Sequence, residues 1–144
     1  MITTEHKAVD IGAPSLDHVL LVTQHAQPTL AFLTEVVGLH VGPRPPFRFA
    51  GWWLYAGDRA VVHIALREVG TAQELSRQVG VRTSGGGGGV VDHIAFRMVN
   101  AAAVRQRLDD SAWPYHEACV PETGECQFFV SIPEGPVVEL VASN

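Results

Sequence analysis

Two short stretches 75 residues apart constrain this chain more than any other feature. "LDHVLLVT" at 16–23 and "VDHIAFRM" at 91–98 share one order: apolar residue, Asp, His, branched aliphatic. Each reads as a strand, and each is followed by a helix candidate. The first is "PTLAFLTEVVG", with Pro28 at its start, Leu30, Leu33, Val36 and Val37 at helical spacing, and Gly38 as its stop. The second is "NAAAVRQRLDDS", opened by Asn100 as N-cap. A further pair of segments also matches. "WWLYAGDRAVVHIAL" at 52–66 and "QFFVSIPEGPVVELV" at 127–141 each give a strand, a Gly- or Pro-bearing turn and a second strand. That alignment sets His63 against Glu139, 76 positions on. The chain reads as two copies of one β-α-β-β-β unit in a single α+β domain over 15–142, with module one at 15–67 and module two at 90–142.

The connector, 68–89, carries Thr71 and Glu74 at capping-box spacing, which predicts a short helix over 72–79. Its five glycines, 85–89, read as a flexible hinge, because no Lys-Ser/Thr pair comes after them to make a phosphate loop. Residues 1–14 read as a tail without the charged-then-apolar pattern of a secretory signal, so a cytoplasmic protein is expected. No apolar run approaches the ~18 residues of a membrane-spanning helix, so no membrane partner is expected. A net charge of −5, with nine arginines scattered and Lys7 the single lysine, argues against nucleic acid. Cys119 and Cys126 match neither a CxxC redox pair nor a zinc pattern and are expected as reduced thiols.

Strand alternation predicts which side chains share a face. His18 goes with Leu16, Leu20 and Val22; His93 with Val91, Ala95 and Arg97; His63 with Val61 and Ala65; Glu139 with Val137 and Val141. One lone histidine in an apolar strand is an ordinary core residue whose nitrogens find partners. A pseudo-twofold, however, brings His18, His63, His93 and Glu139 to one centre. A buried carboxylate is costly unless something positive sits beside it, and a divalent metal is the simplest partner for three imidazoles and one carboxylate. A buried polar network without metal is the rival reading. His6, His25, His40 and His116 have no repeat partner and read as surface residues.

The paired "LDHV…VVHIAL" and "VDHIAF…VVELV" segments resemble the vicinal oxygen chelate superfamily, also called the glyoxalase/bleomycin resistance/extradiol dioxygenase superfamily. The resemblance spans nearly the whole chain. It implies two βαβββ modules forming a half-open barrel around a divalent metal ion (Fe2+, Zn2+, Ni2+, Co2+ or Mn2+). It also implies His18, His63, His93 and Glu139 as ligands, and a homodimer; apolar Val19, Leu21, Ile94 and Phe96, on the faces opposite the ligands, must bury against helices or that partner. The shared chemistry is chelation of two adjacent oxygens of a small-molecule substrate.

The reaction branches within that family. Four ligand positions resemble glyoxalase- and epimerase-type lyases and isomerases, with Glu139 and His63 as candidate catalytic residues. The second position in those enzymes is usually Glu or Gln, and here it is His63. Ring-cleaving dioxygenases instead place Fe2+ on two histidines and one carboxylate, which His18, His93 and Glu139 match. Those enzymes usually carry a tyrosine ten residues before the glutamate, where this chain has Phe129. The completeness of the four-ligand set favours lyase or isomerase chemistry. A fosfomycin-resistance type would gather basic residues, which are scattered here, and a drug-sequestering bleomycin-resistance type would need no ligand set. The Pro-rich segment "VGPRPPFRFAGWWLYAGD" supplies Phe47 and Phe49 as an apolar wall for substrate, with Trp53 and Tyr55 assigned to packing. Arg97, on the His93 face, is the candidate for holding a substrate carboxylate.

Overall fold

The two repeated stretches pair with each other, and that seam runs down the middle of the structure. The computed structural model describes residues 12–80, 89–131 and 136–144. β1 (Ser15–Thr23) lies antiparallel to β5 (Val91–Met98). Each then pairs in parallel with the last strand of its own module, β1 with β4 (Arg59–Leu66) and β5 with β8 (Val137–Ala142). β3 (Gly51–Ala56) and β2 (His40–Gly42) extend one side, while β7 (Cys126–Ser131) and β6 (His116–Cys119) extend the other. The order β2-β3-β4-β1-β5-β8-β7-β6 is therefore symmetric about the seam, as two βαβββ modules require.

Three apolar clusters fix the layers. On one face, α1 (Ala26–Ala31) sets Ala26 and Leu30 against Leu54 and Ile64. On the same face, α3 (Ala101–Asp110) sets Ala101, Val104 and Leu108 against Met98, Phe128, Val130 and Ala142, and it also covers Phe96. The opposite face carries Leu20, Val22, Ala65, Phe129 and Val137, which pack against Leu75 and Val79 of α2 (Thr71–Val79). Side chains from β3 and β7, on opposite sides of the seam, line one cavity, so the sheet curls around it. The result is the half-open barrel.

Local structure departs from the sequence expectations in three places. The first helix begins earlier, at Ala26, and gives way after Ala31 to a π-helical turn over Phe32–Val36, in which Val37 N–H bonds Phe32 O. A wider turn rotates the residues beyond it off the helical face. Val36 and Val37, expected in the core, are exposed as a result. Thr71 does not form a capping box; its hydroxyl donates to Leu66 O and accepts from Glu68 N–H, while Glu74 pairs with Arg77. Asn100 does cap its helix, accepting from Ala103 N–H at 3.0 Å. The third departure is in the pleat of β1 and β5. Their register slips once between Leu16 and His18 and once between Leu20 and Leu21, where Asp92 is the extra residue opposite. Alternation fails there, and Leu16 and Val91 are exposed rather than sharing the faces of His18 and His93. Cys119 and Cys126 stand opposite each other in the β6–β7 register as free thiols, in line with the expectation of no disulfide. The expected tail (apart from 12–14), the glycine hinge (apart from Gly89) and the turn at 132–135 lie outside the described residues, as does His6.

Phe128 is wholly buried under α3, so Phe128→Ala should leave a cavity the sheet cannot close. The expected loss is about 3–5 kcal/mol of unfolding free energy in urea titration.

Candidate metal centre

The two register slips explain how the site is built. In a strict pleat Asp17 and His18 would point to opposite faces, as would Asp92 and His93. Each Asp is instead the extra residue of its slip, and each turns back to its own histidine. Asp17 Oδ2 lies 2.6 Å from His18 Nδ1, and Asp92 Oδ2 lies 3.0 Å from His93 Nδ1. With Nδ1–H donating to a carboxylate, Nε2 of each ring is left facing the centre of the barrel.

Glu139 meets them there from β8. Its Oε2 is 3.0 Å from His18 Nε2 and 3.4 Å from His93 Nε2, and the two Nε2 atoms are 3.2 Å apart. All three residues are buried, Glu139 to 1% exposure. Oε1 accepts from Gln127 Nε2 at 2.6 Å, and Gln127 Oε1 accepts in turn from Gln78 of α2. Oε2 accepts no aligned hydrogen bond and is the one buried side-chain polar atom among the described residues without such a partner.

These are the features a cation site needs. Ligand atoms about 2.1 Å from one ion and about 90–110° apart lie about 3.0–3.4 Å from one another, which is the spacing seen. An orphaned carboxylate oxygen facing two imidazole nitrogens is otherwise expensive to bury. The same close charges set the ionisation of the group. Burial alone would lower His18, but Asp17 and Glu139 outweigh it and hold its imidazole up at about 9. Burial would raise the Glu139 carboxyl, but neighbouring His18, the charge of His93 and the Gln127 hydrogen bond hold it below its usual range. Asp17 is likewise pulled down, against its burial, by His18 and Arg97.

His63 lies beside this group and not in it. The group whose ligand atoms lie within 4.8 Å of one another is His18, His93 and Glu139. The His63 ring stacks on His18 at 3.7 Å between centroids and 16° between planes, with Trp53 on its other face at 3.9 Å and 9°. Imidazole lone pairs lie in the ring plane, so two nearly parallel stacked rings cannot aim them at one ion. The four-ligand expectation is met by three converging residues and a neighbour. Burial, reinforced by His18 and His93, pushes the His63 imidazole well below its ordinary value and favours its neutral form.

A cavity of about 490 Å³ opens over these groups. Phe47 and Phe49, stacked at 5.4 Å, form part of its wall, and Trp53 and Tyr55 line it as well. Arg97 also lines it but is committed: Nε donates to Asp17 Oδ1 at 3.0 Å, and another guanidinium nitrogen is paired with Glu125. These contacts hold Asp17, and through it His18. His25, His40 and His116 are exposed, as expected. The sequence pattern gave no role to Asp17, Asp92 or Gln127. The repeated "DH" was the available signal for the first two.

No family model matches the sequence, and a search of curated proteins by sequence gives no match. Solved structures do match. The 2,2',3-trihydroxybiphenyl 1,2-dioxygenase of Sphingomonas wittichii is 16% identical over 90% of this chain, with a TM-score of 0.63. A glyoxalase/bleomycin resistance protein/dioxygenase superfamily member of Vibrio splendidus is 16% identical over 90% of this chain and 98% of its own, at 0.56. The methylmalonyl-CoA epimerase of Mycobacterium tuberculosis is 16% identical over 90% of this chain and 87% of its own, at 0.58. The fold is that of the vicinal oxygen chelate superfamily. The chain spans 42% of the length of the dioxygenase, so it corresponds to one part of that enzyme.

Replacing Gln127 with Met removes the aligned hydrogen bond that holds the Glu139 carboxylate by its Oε1. Unfolding free energy should fall by about 1–3 kcal/mol in urea titration, more than at a typical half-buried polar site.

Proposed function

We propose that this chain is a metal-dependent enzyme that binds a substrate through two adjacent oxygens, and that its reaction is cleavage of a catechol-type ring by O2. The observation that carries the reading is the converging set His18 Nε2, His93 Nε2 and Glu139 Oε2, with His63 stacked outside it. Two histidines and one carboxylate with open positions are the donor set of non-haem ferrous oxygenases. Lyase or isomerase chemistry of the four-ligand kind calls for a fourth ligand, and the stacking of His63 on His18 weighs against one.

His18, His93 and Glu139 would hold the ion. When bound, Fe2+ supplies a Lewis acid for adjacent oxygens and a centre at which O2 can react. The rest is the work of side chains. Phe47, Phe49 and Trp53 present ring faces to a flat aromatic and keep water from it. His63, its neutral form favoured and its ring lining the cavity, is placed to take a proton from a substrate hydroxyl; Phe129 stands where a tyrosine is usual, and Tyr55, also in the lining, donates its hydroxyl to Pro43 O. Asp17 and Asp92 keep both Nδ1 atoms protonated, and Gln127 fixes the Glu139 carboxylate. One catechol and one O2 give one ring-opened product that keeps both oxygen atoms, so no outside reductant is required.

A lyase or isomerase of the glyoxalase or epimerase type is the second reading, favoured by the 87% of the epimerase's length that this chain covers. It would need Glu139 to take a proton while 1% exposed and tied to Gln127.

The test is to strip the protein of metal and reconstitute it with Fe2+, Mn2+, Co2+, Ni2+ or Zn2+. Oxygen uptake with a catechol panel should accompany Fe2+ and be absent with Zn2+. Glu139→Ala should lose stoichiometric ion binding, whereas His63→Phe should keep the ion and lose about 10²–10⁴-fold in kcat. Proton exchange beside the carbonyl of α-ketoaldehyde–thiol adducts or 2-substituted acyl thioesters, supported by Zn2+ or Co2+ without oxygen uptake, would point to the lyase or isomerase. No activity and no retained metal would leave a cytoplasmic drug-sequestering protein as the better reading.

The same reading takes the chain as a homodimer. Phe32, Val36, Val37 and Val41 are exposed together at the π-helical turn and edge strand of module one. Patches of this kind are usually covered. Light scattering at micromolar concentration should give twice the chain mass, from an interface above ~1,000 Å². A monomer would count against it.

A further inference from the structure

We propose that Arg44 anchors a carboxylate of the substrate, so that the cavity takes an aromatic acid in preference to a neutral aromatic. The inference rests on the reading of the cavity as a substrate site and names what that site selects.

Arg44 lies in the loop between β2 and β3, between Pro43 and Pro45, whose rings restrict the backbone on either side. Its side chain is half-buried and lines the same cavity as His18, His63 and His93. One guanidinium nitrogen donates to Phe49 O at 2.7 Å, and the guanidinium carbon lies 5.3 Å and 5.0 Å from the ring centres of Phe47 and Phe49. Gly51 leaves room for it: a Cβ there would come within 3.1 Å of the guanidinium and 2.3 Å of Ile64 O. A guanidinium has five N–H donors, and one backbone carbonyl leaves most of them uncommitted.

What sets Arg44 apart is partial burial without a counter-charge. Arg97, on the same cavity wall, is clamped between Asp17 and Glu125. Arg59, also on that wall, is exposed and donates to Leu16 O. Arg44 is drawn partly out of water with no carboxylate among the described residues in ion-pair contact, and burial lowers its ionisation. Stacking on two phenyl rings returns a part of that cost. An oxyanion arriving in the cavity would supply the rest, through the charge-assisted contacts a guanidinium makes best.

The route from Arg44 to the buried carboxylate is aromatic throughout. Phe47 lies 6.4 Å from Trp53, Trp53 stacks on His63 at 3.9 Å, and His63 stacks on His18 at 3.7 Å. A flat ring laid along that wall would point one substituent to Arg44 and the opposite edge to the His18–His93–Glu139 group. A monoanion fits better than a dianion, because Asp58 and Glu125 share the lining.

The experiment measures equilibrium binding by calorimetry for two pairs of ligands: 3-phenylpropanoate and its amide, and the dihydroxyphenyl analogues of both. Each acid should bind wild type about 10–100-fold more tightly than its amide. Arg44→Met should bring that ratio to about one, and Arg44→Lys should retain part of it. A ratio near one in the wild-type protein, or a ratio that survives in Arg44→Met, would overturn the assignment. If Arg44 merely braced its loop, Arg44→Met would weaken acid and amide together and leave the ratio intact. The phenyl pair lacks adjacent hydroxyls, so its result stands apart from ring cleavage. Acid preference without catechol oxidation would sink the reaction and keep the anchor; the reverse would do the opposite.

Discussion

Glu139 Oε2 is anionic, buried and without an aligned hydrogen bond, and two imidazole nitrogens face it across 3.0 and 3.4 Å. In an apolar strand such a group costs several kcal/mol unless its surroundings are arranged for it. The arrangement extends well beyond the three residues. Gln127 and Gln78 reach from β7 and α2 to hold the other carboxylate oxygen. Arg97 holds Asp17, which holds His18; Asp92 holds His93. Strands β1, β5, β7 and β8 and helix α2 are thus tied to one point by polar contacts as well as by packing.

The two modules use equivalent positions for different work. His63 and Glu139 occupy matching places on β4 and β8, and their cross-strand partners, Trp53 and Phe129, match as well. An indole laid flat on His63 presses the imidazole against His18 and turns its lone pairs away from the centre. Phe129 meets His93 edge-on at 5.9 Å and leaves Glu139 free to reach inward. A change of aromatic partner therefore accompanies a change of role, from a residue that converges to one that stands beside the site with a neutral ring.

This is also where the sequence ran out. The repeat announced two modules, their seam and the inward face of Glu139, because strand period and duplicated motifs are local signals. It placed His18 and His93 together for the same reason. It could not separate His63 from the three residues that converge, since the difference lies in a ring-to-ring contact with Trp53 and not in spacing. Strict alternation put Leu16 and Val91 inside and left Asp17 and Asp92 without a task; a register slip of one residue reverses both, and nothing in the pattern marks it. Nothing in the pattern ties Arg97 to its ion-pair partners, Asp17 and Glu125, which are 80 and 28 residues away.

The connector helix settles which way the barrel opens. An antiparallel seam relates the two ends of the sheet to each other, so the repeat alone would treat them alike. α2 belongs to neither copy. It seals one end with Leu75 and Val79 against Leu20, Val22, Ala65 and Val137, residues from the carboxyl ends of β1 and β4 and the amino end of β8. The other end, lined by Ser15, Arg59, Arg97, Thr123 and Glu125, stays polar. The alternation along single strands is a consequence: His18 precedes Leu20 and Val22, and Glu139 separates Val137 from Val141, so each strand leaves the sealed apolar floor and enters the site within two residues. An element outside the repeat thus converts a nearly symmetric cup into one with a dry floor, a charged centre and a polar mouth, which is the asymmetry a site for one small molecule requires.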